Sequence, residues 1–140
     1  RILGGSISHK TGPAHDAFSS PYEYYYDPQM NHVRWLRKVV VLTNRSTFSA
    51  ANTFVAVMKT LPRVRIVGDR TGGGSGMPFS SELPCGWGVR FSACPVYVPE
   101  GKLTEWGVEP SEGCKIDMDP EAAYNGHDTI LDFAISLLAE

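Results

Sequence analysis

The segment Val39–Leu61, VVVLTNRSTFSAANTFVAVMKTL, decides the reading of this chain. Its aliphatic run Val39–Leu42 is the mark of a strand covered on both faces. A short polar turn follows. Ala51, Phe54, Val55, Met58 and Leu61 then recur at helical spacing, which predicts a helix over Ala50–Leu61 with one buried stripe. Pro62 ends it. Ser49 falls at the turn-to-helix junction, beside the unpaired N–H groups of a first helical turn, which favour negative charge. That position suits a serine nucleophile whose acyl intermediate carries an oxyanion. It equally suits a helix N-cap. The Gly-x-Ser-x-Gly elbow pattern is absent, since Phe48 and Ala50 flank the serine and no Gly lies two residues away.

Working outward, Val64–Val67 reads as a second strand, ended by a turn at Gly68. Strand, helix and strand within about thirty residues fit a right-handed crossover between parallel strands. The loop Thr71–Met77, TGGGSGM, carries glycines at 72, 73, 74 and 76. Such a loop allows backbone to approach a ligand. It lacks the Gly-Lys-Ser/Thr of a P-loop, and extended segments rather than a helix follow it. Ser80–Leu83 and Gly88–Ala93 predict a hairpin around Pro84-Cys85-Gly86-Trp87. Val96–Val98 continues extended, and Gly107-Val108-Glu109-Pro110 turns. The last helix buries Ile130, Phe133, Ala134, Leu137 and Leu138, with Asp128 or Asn125 as its cap. Residues 1–36 read as irregular apart from a short strand using Ile2, Leu3 and Ile7. Tyr22, Tyr24, Tyr25 and Tyr26 form an aromatic patch there, read as packing.

The 140 residues are 42% hydrophobic and 20% charged, the balance of one compact globular domain over 1–140. A net charge of −2 with scattered basic residues leaves no footprint for nucleic acid. No run approaches the roughly 18–20 apolar residues of a transmembrane helix. The chain starts at Arg1 with neither signal peptide nor initiator Met, as expected of a processed product or an excised piece. Cys85, Cys94 and Cys114 show no C-x-x-C spacing, which argues against zinc. An extended path would hold Cys85 and Cys94 roughly 30 Å apart, so they are expected to be separate small buried residues.

Four short motifs stand in order: Val39–Asn44, Thr47–Asn52, Ile66–Gly73 and Gly107–Pro110. Together they resemble the carboxy-terminal-processing (tail-specific) serine peptidase family, and most closely its tricorn-like and retinoid-binding-protein-like branch. The resemblance covers residues 37–117. It implies an α/β fold, the Clp protease/crotonase-like spiral of strand–strand–helix units, incomplete here at its amino-terminal side. It implies that Ser49 is the nucleophile and that the Ala50 N–H binds the oxyanion, with Gly72, Gly73 and Gly74 in the oxyanion and substrate-binding loop. One branch of the family places a Lys base in that loop. The matching position here is Gly74, and no Lys lies nearby, so a Ser–Lys dyad is not expected. The tricorn-like branch uses a His oriented by a Glu, which points to Glu105, with Glu109 as runner-up.

The family's catalytic His lies well upstream of the nucleophile strand. His9, His15, His32 and His127 match no family position; His15, next to Asp16, is the nearest thing to a local base. The resemblance therefore implies the carboxy-terminal part of a catalytic domain, with the base supplied by an upstream segment of the same parent. The expected substrate is unfolded or tail-exposed polypeptide, with no metal or cofactor, in a bacterial envelope or periplasm. A non-catalytic relative holding peptides or hydrophobic ligands is the alternative, with the tyrosine patch, Trp87 and Trp106 as its lining. A crotonase-like acyl-CoA enzyme would share the fold, but the Thr47–Asn52 and Gly107–Pro110 motifs speak against it.

Overall fold

The computed structural model describes residues 1–11, 16–29 and 34–139. Strands β1 (Ile2–Ile7), β2 (Lys10–Thr11), β3 (Ala17–Phe18) and β4 (Tyr22–Tyr26) come first. Then follow β5 (Val39–Thr43), helix α1 (Ala50–Lys59) and β6 (Val64–Gly68). Strands β7 (Pro78–Glu82), β8 (Gly88–Ser92) and β9 (Val96–Tyr97) precede a 3-10 turn at Thr104–Trp106. Helices α2 (Pro120–Tyr124) and α3 (Thr129–Ala139) close the chain.

The quoted segment forms the centre. β5 and β6 pair in parallel, in register from Val39 with Val64 to Thr43 with Gly68. Alternate side chains go to opposite faces of a strand. Val39, Val41, Val64 and Ile66 therefore pack with Val55 and Ala56 of α1. Val40 and Val67 pack with Ile130, Phe133, Ala134 and Leu137 of α3. The pair of strands is thus covered on both faces, as its aliphatic run predicts. Residues 114–116 extend the sheet past β6, with Gly68 N–H donating to the Cys114 carbonyl at 3.1 Å and Ile116 N–H to the Gly68 carbonyl at 3.0 Å.

Several expectations are corrected. In α1 the buried residues are Asn52, Val55 and Ala56, while Ala51 and Phe54 are exposed. The helix has two apolar sides, and only the one facing β6 is covered. Leu138 is 49% exposed, outside the α3 core face. Asp128 caps α3, its Oδ1 accepting from Ile130 and Leu131 N–H at 3.0 and 2.9 Å. Asn125 instead ends α2, a short helix missed in the sequence and capped by Asp119. Cys85 is exposed, Cys94 half-buried and Cys114 buried, all three free.

The first 36 residues are more regular than their composition predicts. β4 pairs antiparallel with β1, and β9 pairs on the other side of β1. The register shifts between Leu3 and Gly5. A Cβ on Gly4 would lie 2.2 Å from the Tyr24 ring, so the glycines give that ring its seat. Tyrosines favour a pleated surface, and here they are strand residues, with only Tyr24 half-buried.

Candidate active site

Ser49 has φ 57° and ψ −120°, a conformation that residues with a Cβ rarely adopt. It holds the N-cap position, yet its side chain accepts no hydrogen bond from the helix. A working cap has extended backbone and an engaged side-chain oxygen. The cap alternative is therefore not realised. Instead the turn is held by its backbone: Ser49 N–H donates to the Gly73 carbonyl, and Gly72 N–H to the Thr47 carbonyl, both at 2.8 Å. The Ala50 N–H makes no hydrogen bond among the described residues. A strained serine with a free hydroxyl, followed by an unused amide at a helix start, is the geometry of a nucleophile elbow.

The strain is testable. Positions of this kind cost about 1–3 kcal/mol. Ser49→Gly removes the Cβ and gives up no cap, so the unfolding midpoint is expected to rise by about 1 kcal/mol equivalent. Ser49→Ala keeps the Cβ, and its midpoint is expected to stay within about 0.5 kcal/mol of the wild type. Chemical denaturation of the three proteins makes the comparison.

The Gly-rich loop packs against its own chain. An added Cβ would come within 2.3 Å of the Arg45 carbonyl at Gly72, 1.9 Å of the Glu105 carbonyl at Gly73 and 2.1 Å of the Phe48 ring at Gly74. The Gly72 and Gly74 amides are spent on Thr47 and Glu105 carbonyls. Close chain-to-chain approach thus accounts for these glycines. Among the residues expected to bind an oxyanion, Ala50 is the one whose amide is uncommitted and exposed.

A buried polar network fixes loop and helix together. The Asn52 side chain is fully buried. Its Nδ2 donates to Ser75 Oγ at 2.5 Å and to the Thr104 carbonyl at 3.0 Å. Its Oδ1 accepts from Thr71 Oγ1 at 2.5 Å, and that hydroxyl accepts from Val108 N–H at 2.6 Å. Buried amides need such partners. Sequence reasoning missed this role; the available signal is an Asn within an apolar helix face, three residues after the serine.

Thr104 anchors the turn that carries Glu105, its Oγ1 donating to the Val96 carbonyl at 2.9 Å. Glu105 is half-buried, and its Oε1 accepts from Ser92 Oγ at 2.8 Å. Its backbone touches the loop that holds Ser49, but its carboxylate does not reach the serine. Glu109 belongs instead to an ion cluster, 3.3 Å from Lys115 and 3.8 Å from Arg70.

In the same cluster Asp69 accepts from Arg45 Nε at 2.6 Å. That hydrogen bond, then the Arg70 backbone N–H, holds the Asp69 carboxyl below the usual carboxylate range against the opposing effect of burial. The interaction is fully present above the unfolded value, about pH 4. It is lost as pH falls through the folded value. Asp69→Asn is therefore expected to be less stable than wild type at pH 7, with the gap closing below about pH 4. Urea midpoints across that range measure it.

Ser49 opens on a cleft of about 500 Å³ lined by Tyr26, Ala50, Phe54, Val57, Met58 and Met77, among others. The exposed side of α1 forms its wall. Trp87 and Trp106 are each 74% exposed and line no part of it. His9 engages Cys94 and Tyr22 rather than Ser49. His127 sits in the turn after α2, and His15 and His32 lie outside the described residues. No cluster of three or more metal-ligating side chains occurs among the described residues.

The site is a strained serine between a strand and a helix, held by a docked glycine loop, and comparison with known proteins gives the family. Residues 7–112 match the model of peptidase family S41, and the chain belongs to that family. A solved protein of Parabacteroides merdae ATCC 43184, proposed to be a peptidase, is 50% identical over 99% of this chain, with a TM-score of 0.92. The chain spans 43% of that protein. Mature CPAF is 27% identical over 72% of the chain and 20% of its own length, with a TM-score of 0.57. The photosystem II D1 C-terminal processing protease, at 24% identity and a TM-score of 0.55, shares the fold; 87% of this chain and 29% of that one are covered. The described fold is a mixed strand and helix domain like those of its S41 relatives.

Proposed function

We propose that the protein to which this chain belongs is a serine endopeptidase that cuts unfolded or tail-exposed polypeptides through an acyl-enzyme on Ser49. The observation that carries this reading is the strained Ser49 with its free hydroxyl beside the unused Ala50 N–H. Ser49 Oγ attacks the scissile carbonyl, and the Ala50 N–H binds the oxyanion that forms. A histidine from an upstream segment of the same parent takes the proton, oriented by Glu105. The cleft beside Ser49 receives an apolar side chain of the substrate. Gly72, Gly73 and Gly74 shape the loop along which extended substrate lies. Upstream strand–strand–helix units complete the spiral.

A second reading is a non-catalytic relative that holds peptides or hydrophobic ligands. The apolar cleft favours it, as does the absence of any hydrogen-bond partner for Ser49 Oγ among the described residues. Fluorophosphonate labelling of the longer parent, read by peptide mass, separates the two. An adduct on Ser49 together with cleavage of an unfolded protein supports the peptidase. A folded parent that binds peptide but neither labels nor cleaves overturns it.

A further inference from the structure

Away from Ser49, a second nucleophile has a base in hand. His9 Nδ1 lies 3.2 Å from Cys94 Sγ, and His9 Nε2 lies 2.9 Å from the Tyr22 hydroxyl. The Tyr22 ring stacks on the imidazole, with centroids 5.3 Å apart. With Nε2–H donating to the tyrosine oxygen, Nδ1 is left as the acceptor of the thiol proton. A nucleophile, a base within hydrogen-bond reach and a third group orienting the base make an activated-nucleophile arrangement. β1 leads into His9, β4 begins at Tyr22, and Cys94 precedes β9, so pairing of these strands brings the three together. Cys94 also borders a cleft of about 100 Å³ shared with Lys10, Phe18, Ser92 and Glu105.

We propose that Cys94 is a thiol-modification site that takes small disulfides, and that its adduct switches the peptidase site off. The Cys94 thiol gives its proton to His9 Nδ1, and the thiolate attacks one sulfur of the disulfide. A new S–S bond forms to Cys94, the old S–S bond breaks, and the leaving thiolate takes the proton from His9. The disulfide is the oxidant, and one small thiol is released. Phe18, Pro95 and Leu103 give the cleft an apolar lining, with Lys10 and Glu105 balancing in charge at its border. The adduct fills the cleft that Glu105 borders and displaces its hydrogen bond with Ser92. This second half rests on the peptidase reading; the first does not.

The test incubates the full-length parent with glutathione disulfide at pH 7 and follows each cysteine by peptide mass. An ordinary thiol is only a few per cent thiolate at that pH. Cys94 is expected to react at least about 10-fold faster than the more exposed Cys85. His9→Asn and Tyr22→Phe are each expected to slow Cys94 and leave Cys85 unchanged. Equal rates at the two cysteines, or no effect of either variant, overturn the proposal. Peptide hydrolysis is expected to fall as the Cys94 adduct forms and to return on reduction. Full hydrolysis with the adduct in place overturns the switch alone. A parent that forms the adduct but never cleaves peptide counts against the peptidase reading, and leaves the thiol assignment standing.

Discussion

Replacing Ser49 with Ala in the full-length parent is expected to lower kcat for peptide hydrolysis by about 10⁴–10⁶-fold, the scale seen when a hydrolase loses its nucleophile. Peptide binding should persist, because the cleft walls on α1 and the strained turn are untouched. KM is then expected to change little while kcat collapses. That split marks a group acting in the transition state rather than in uniform binding. The variant should also take up no fluorophosphonate. The expectation is specific because the Ser49 hydroxyl caps no helix and has no hydrogen-bond partner among the described residues. Loss of folding in Ser49→Ala would contradict that account. Activity retained above one part in a hundred would remove Ser49 from the chemistry altogether.

Gly73→Ala is expected to be the most damaging single change in the loop. The residue sits at φ +78°, and its added Cβ would lie 1.9 Å from the Glu105 carbonyl and 2.9 Å from Gly107 N. The left-handed backbone alone costs an alanine about 1–2 kcal/mol. The clash is with the backbone of the Glu105–Gly107 turn, which cannot swing away as a side chain can. A total loss of about 3–5 kcal/mol is expected from denaturant midpoints. Gly86→Ala is the matched control, with φ +82° and nothing within 4 Å of the new Cβ. It should lose only the conformational part. Gly73→Ala is also expected to lose hydrolysis with Ser49 intact, since Gly73 holds the Ser49 amide. Equal effects of the two variants would show that the loop does not clamp the turn.

The central unit was legible in the sequence because its signals are local. The aliphatic run of β5, the helical spacing of α1 and the short β6 point to a parallel pair, which the structure contains. The junction serine and the glycine loop stood out for the same reason. What local patterning misses is which apolar face ends up covered. Phe54 and Ala51 look like core on spacing, yet both are exposed, and Phe54 lines the open cleft beside Ser49. Of the amino-terminal strands only β1, around Ile2, Leu3 and Ile7, was legible; β2, β3 and β4 escaped notice because their pairing is made between segments that no local window contains. Asn52 was hidden for a related reason. Its partners come from residues 71, 75 and 104, and no window around the helix contains them.

That last link also sets an order of assembly. β5, α1 and β6 contact one another over short chain separations, so they are expected to form early. The turn around Ser49 waits for the glycine loop, whose Gly72 and Gly73 bond to it. The Asn52 bond to the Thr104 carbonyl closes a loop of 52 residues, and such closures carry a larger entropic cost. The Glu105 turn should therefore dock late, after the hairpin of β7 and β8 has formed. A chain still emerging from the ribosome would own a serine long before it owned a working centre. On the peptidase reading, folding itself then acts as a safety catch, since Ser49 has no complete surroundings until this long-range contact is in place.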